Sequence, residues 1–115
     1  MKIKISDKIG NDVTFALNES EAAHALERML PMEVNLQKLS SNETAFSLSK
    51  KINTFGAPLA SGGLEVLAYH KPWNMVIIAY GGYSDYEDLY ELGMPIAGQG
   101  QIRNMKGQVL IEEIL

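Results

Sequence analysis

The hydrophobic pattern of the chain changes period several times, and each change marks an element. Ile3 and Ile5 alternate with Lys2, Lys4 and Ser6, and beyond Gly10-Asn11 the alternation returns at Val13, Phe15 and Leu17. Period two with polar residues between predicts a β-hairpin with one wet face. Next the apolar positions move to helical spacing at Ala22, Ala23, Leu26, Met29 and Leu30, predicting a main helix over about residues 19–30. Asn18 with Glu21 three positions later supplies a capping signal at its start. Pro31 closes it, because the residue before a proline is biased out of the α region. From Met32 the period returns to two, with Met32, Val34 and Leu36 on one side, so the helix feeds directly into a strand.

Ser40 to Glu43 reads as a turn, and Phe46, Leu48 and Ile52 point to a further strand. Asn53 to Gly63, with Gly56, Pro58 and Gly62-Gly63, is the longest run of loop chemistry and the best place for a binding loop. Leu64–Tyr69 and Met75–Tyr80 are rich in Val, Ile, Leu and Tyr, and His70 to Asn74 joins them as a turn. Met75 to Ala79 is apolar at every position, which predicts a central strand covered on both faces. Gly81 to Gly93 is acidic and tyrosine-rich, and either a short helix or an ordered loop is expected near 86–92. Gln108 to Ile114 is β-rich; pairing it with the N-terminal strand would close a barrel and remove both edges. The expectation is a mainly β fold, a closed or nearly closed β-barrel with one main α-helix, over 1–115 as a single domain.

Composition narrows the chemistry. A chain of 115 residues with 46% hydrophobic content can bury one modest core without staples. Ten basic and fourteen acidic residues leave a net charge of −4, and the basic residues are scattered, so nucleic acid is not an expected partner. There is no cysteine, hence no disulfide, no thiolate nucleophile and no common structural zinc site. No apolar run has the length of a membrane span, and the reading is a cytoplasmic chain with no membrane partner.

No strong catalytic motif is present. His24 reads as a solvated helix residue, and the two histidines have no metal-ligand spacing, so neither a metal nor a cofactor is expected. Asp85, Glu87, Asp88 and Glu91 lack the pattern of a calcium loop and read as a solvated acidic segment. Gly98-Gln99-Gly100-Gln101 offers backbone amides to an anion, but is neither a P-loop nor a dinucleotide fingerprint. Ser61-Gly62-Gly63 lacks the nucleophile elbow. The aromatics are the best remaining clue, because Phe55, Tyr69, Trp73, Tyr80, Tyr83 and Tyr86 flank the central hairpin and its loops, where rings can line an apolar groove. Phe55, Tyr69, Trp73, Tyr80 and Tyr83, with His70 as a base or hydrogen-bonding contact and Arg103 as a binder of an anionic group, are the candidate groove residues.

Three stretches carry a family resemblance. Ala22 to Pro31, with its Leu-Pro exit, Gly62 through Asn74, and Leu92-Gly93 together resemble the small microbial cyclophilin-like family, β-barrel proteins of uncharacterised function. The resemblance spans nearly the whole chain and implies the barrel fold. The true cyclophilins, which are peptidyl-prolyl isomerases, carry an arginine in a Phe-His-Arg strand and a Phe-Met-x-Gln-Gly segment. Here the corresponding strand reads Thr44-Ala45-Phe46-Ser47-Leu48-Ser49, and Gln99-Gly100 falls near the C-terminal end. Phe55, Tyr69, Trp73 and Tyr80 beside loop-rich segments point to a binding module for a small molecule or a proline-containing peptide, and the missing arginine to one without efficient catalysis. A weak peptidyl-prolyl isomerase is the alternative, and an oligomeric interaction protein, such as a homodimer, the second.

Overall fold

The computed structural model describes residues 1–60, 65–82 and 87–115. The N-terminal alternation becomes β1 (Lys2–Asp7) and β2 (Asp12–Leu17), an antiparallel hairpin in which Ile3, Ile5, Val13, Phe15 and Leu17 point inward. Helix α1 (Glu21–Arg28) follows, then β3 (Met32–Asn35), β4 (Gln37–Ser40) and β5 (Glu43–Ser47). The central hairpin is β6 (Glu65–His70) with β7 (Met75–Tyr80), and β8 (Leu89–Ala97) and β9 (Gln108–Ile114) complete the sheet.

Among the described residues nine strands run in the order β3-β9-β1-β2-β8-β6-β7-β5-β4, and every pairing between them is antiparallel. The two edge strands, β3 and β4, are neighbouring pieces of one extended segment with only Leu36 between them. The first piece pairs with β9, the second with β5, and the Leu36 amide donates to the Gly107 carbonyl at 2.8 Å. One stretch of chain thus borders both ends of the sheet and leaves a nearly closed barrel. As expected, the tail β9 pairs with β1, from Lys2 opposite Ile114 to Asp7 opposite Val109.

The interior is one apolar cluster drawn from the inward positions of β1, β2, β5, β6, β7, β8 and β9. Helix α1 enters from the Leu17 end of β2 and contributes Ala22, Ala23 and Leu26 to it. A 3₁₀ helix (Gln99–Asn104) lies at the Asp12 end and contributes Ile102. Strand β7 is buried at every position, as its uninterrupted apolar run predicts. Val76 and Ile78 face the interior, whereas Met75, Ile77 and Ala79 join Ala45, Val66, Ala68 and Leu89 in a second cluster on the outer face.

Two local readings are corrected. Helix α1 is shorter than 19–30, because Ser20 caps it: the Ser20 hydroxyl accepts from the Ala23 amide at 3.1 Å. Asn18 instead braces Ser20 and donates its side-chain amide to the Glu91 carbonyl at 2.8 Å. The short second helix is at 99–104, not near 86–92, where Leu89 to Leu92 belong to β8. Pairing with β2 on one side and β6 on the other outweighs the local preference. In the Gly98-Gln99-Gly100-Gln101 stretch, Gln101 Oε1 accepts from the Asp12 amide at 2.9 Å and ties the 3₁₀ helix to β2.

Gly93 lies where β8 crosses the Ala16 backbone so closely that a Cβ would overlap the Ala16 carbonyl oxygen. The clash is with backbone, which cannot swing aside. Gly93→Ala is therefore expected to destabilise the fold by about 2 kcal/mol or more, read from the shift of a denaturant midpoint.

Candidate functional site

The segment after β5 builds one wall of an open cleft of about 700 Å³. Asn53 Oδ1 accepts from the Phe55 amide at 3.0 Å, and the Thr54 carbonyl accepts from the Ala57 amide at 3.0 Å. Gly56 sits between them with φ of +75°, at the third turn position where a left-handed residue is required. Phe55 is thereby held at the tip of an ordered turn, 89% exposed. Further on, Leu59 bridges Tyr90, Glu91 donates its amide to the Pro58 carbonyl at 2.9 Å, and Ala60 donates to Leu89 at 2.8 Å. These bonds lay the loop along the outer side of β8.

The other wall is Tyr90 with Lys71 and Asp88, whose side chains are exposed and of opposite charge. Lys71 donates its amide to the Asp88 carbonyl at 3.1 Å, which fixes the two relative to one another. The floor is tied to the turn between β6 and β7 through Tyr69. Its hydroxyl accepts from the Ile52 amide at 3.3 Å and donates to Asn74 Oδ1, while the Asn74 side chain donates to the Leu48 carbonyl at 3.0 Å.

The residues named from sequence separate into two groups at opposite ends of the barrel. Phe55, His70 and Trp73 lie at the end that carries the β6–β7 turn, and only Phe55 lines the cleft. Tyr69 does not line a groove, because the strand register turns it inward, and its role is the tie just described. His70 is the last residue of β6, buried against the outer cluster, and not a turn residue; its ring meets the half-exposed Trp73 edge-on at 4.3 Å. Tyr80 is likewise buried rather than groove-lining, and Arg103 meets it at the far end, donating to the Tyr80 carbonyl at 3.4 Å. Tyr83 lies outside the described residues. Lys71, Asp88 and Tyr90 were missed, since two charges and a tyrosine in an acidic stretch carry no motif. Of the loop read over 53–63, residues 53–57 and Leu59 line the opposite wall, and 61–63 lie outside the described residues.

A smaller cleft of about 500 Å³ runs between the end of α1 and β9, with Glu27, Glu112 and Glu113 on its walls. A hydrogen bond that the protonated Glu113 carboxyl donates to Glu27, and then the Glu27 charge, raise the pKa of Glu113 above its ordinary 4.5. No group of three histidine or carboxylate side chains converges among the described residues, so no metal ligands are assigned.

A model of the Cyclophilin-like family matches residues 7–112. The chain belongs to that family. The solution structure of a hypothetical protein from Archaeoglobus fulgidus superposes with a TM-score of 0.68 at 17% identity, covering 99% of this chain and 95% of that one. At that identity the likeness concerns the fold alone. No curated protein matches the chain. Within this cyclophilin-like barrel neither arginine borders the large cleft: Arg28 lies on α1 at 4.0 Å from Glu21, and Arg103 lies at the far mouth.

Two pH effects follow. Burial holds the His70 imidazole below its ordinary 6.5, with the Asp88 carboxylate opposing. On acidification the unfolded chain therefore takes up this proton first, so the contribution is full above about pH 7 and lost as pH falls through 6.5. Melting temperature should decline between pH 7.5 and 5.5, and His70→Gln should flatten that decline. Glu113 has the opposite sign, because its raised pKa makes ionisation unfavourable in the fold. Glu113→Gln should raise the melting temperature at pH 7, with the gain vanishing below about pH 4.

Proposed function

We propose that this cyclophilin-like protein is a binding module that seats a short peptide or small ligand with an apolar group in the cleft beside Phe55. The observation that carries the reading is the Phe55 ring, fully offered to solvent at the tip of a turn fixed by three backbone constraints. A large ring held out of the core contributes little to folding, and a rigid aromatic at the rim of a concave site is a low-entropy anchor for a partner. Lys71 and Asp88 add one charge of each sign to the same cleft, enough to orient a polar backbone across it.

A thermal-shift screen against metabolites and proline-containing peptides tests this, because a ligand of the native state raises apparent stability by mass action. Saturable stabilisation by at least one compound is expected. Phe55→Ala should weaken that ligand about tenfold, roughly 1.4 kcal/mol, while leaving the melting temperature of the free protein unchanged. A screen without hits, or a variant that binds equally well, defeats the proposal.

Efficient peptidyl-prolyl isomerisation is not part of this reading. The amide barrier of about 18–20 kcal/mol is lowered in true cyclophilins by a guanidinium directed at the prolyl nitrogen. The cation beside the large cleft is Lys71, an ammonium without the planar fork of arginine. A proline-limited peptide isomerisation assay at micromolar protein should show no acceleration over background.

A further inference from the structure

The far mouth of the barrel gathers polar groups that the cleft does not use. Tyr80 ends β7 facing inward, 4% exposed, yet its hydroxyl has no hydrogen-bond partner. Directly across on β6, Glu65 holds a buried carboxylate oxygen, Oε2, that also has none. Lys38 of β4 brings its Nζ to 5.6 Å from the Tyr80 ring centroid, and Arg103 of the 3₁₀ helix brings its Cζ to 6.0 Å from the same centroid. Neither cation is in an ion pair among the described residues. Glu65 also lines a recess of about 340 Å³ with Met94, Pro95 and Gln99.

This arrangement is costly as a purely structural device. A buried polar atom left unpaired costs about 1–3 kcal/mol, and buried tyrosine hydroxyls ordinarily find a partner. Two cations drawn to one ring gain some cation–π energy but repel one another, and the nearby carboxylate neutralises neither. Four elements converge to hold both signs of charge and a free hydroxyl, with Glu65 and Tyr80 about 5 Å apart at their backbones. A simple anion would meet the Glu65 charge, and a simple amine would meet Lys38 and Arg103.

We propose that this mouth binds a small zwitterion of the α-amino-acid class. The ligand carboxylate takes the Tyr80 hydroxyl with Arg103 and Lys38, its ammonium takes Glu65, and its apolar side chain lies in the recess against Met94 and Pro95. A free amino acid carries both charges on one carbon, which suits groups one strand apart; an internal peptide segment carries neither. The site is about 17 Å from the cleft, the length of β6, and stands independently of the function proposed there.

Calorimetric titration of the full chain with L-leucine, and with acetate and isobutylamine at matched ionic strength, tests the proposal. Saturable L-leucine binding is expected, with neither fragment saturating over the same range. Tyr80→Phe removes only the hydroxyl, so it should weaken L-leucine at least tenfold without lowering the melting temperature of the free protein. Arg103→Gln should weaken it at least fivefold. Acetate binding as tightly as L-leucine, no binding of L-leucine at millimolar concentration, or a Tyr80→Phe protein that is less stable when free would each overturn the assignment.

Discussion

Closure of the sheet through the 32–40 segment is the constraint on which the rest of the molecule depends. A nine-stranded antiparallel sheet would otherwise end in two rows of unpaired amides and carbonyls. Here the same few residues supply both edges, pairing with β9 through β3 and with β5 through β4. Once that register is set, the pleat decides which side chain of every strand faces inward. The barrel then has an interior to fill and two mouths to stop, one by α1 and the other by the 3₁₀ helix.

Closure also explains why the two candidate sites are separate. Strands β6 and β7 run the height of the wall, so a residue at one end of the hairpin is far from a residue at the other. Phe55 and Lys71 gather at the turn end, while Tyr80, Glu65, Lys38 and Arg103 gather where the hairpin opens. The cleft is held by hydrogen bonds from the loop to β8, and Ile52 with Tyr69 ties its floor to the core. The far mouth lies at the end of the interior, where burial makes each unpaired polar atom count.

Much of the fold was legible because it depends on local periodicity. The first hairpin follows from period-two apolar spacing, and the central hairpin with its doubly covered β7, like the closing β9, from runs rich in Val, Ile, Leu and Tyr. The capping signal at Asn18 misled because two residues compete for the helix start, and Asn18 is claimed by the Glu91 carbonyl of the neighbouring strand β8. The acidic run before Gly93 looked helical because helix formers dominate it locally, yet it fills the gap between β2 and β6. Gly93 itself carried a family resemblance in the sequence, and its physical reason, the Ala16 carbonyl, is a contact between neighbouring strands far apart along the chain.

The aromatic residues show the same division. Their clustering around the central hairpin was visible in the sequence, but alternation alone cannot say which face of a strand with apolar residues on both sides looks inward. Tertiary packing sent Tyr69 and Tyr80 inside, set Trp73 against His70, and left Phe55 on the rim of the cleft. The sequence by itself determined the strand periods, the barrel class and the absence of thiol chemistry, since these rest on spacing and composition. Only the tertiary structure decided which polar groups meet. Lys38, Glu65, Tyr80 and Arg103 come from four elements, and their meeting is a consequence of closure.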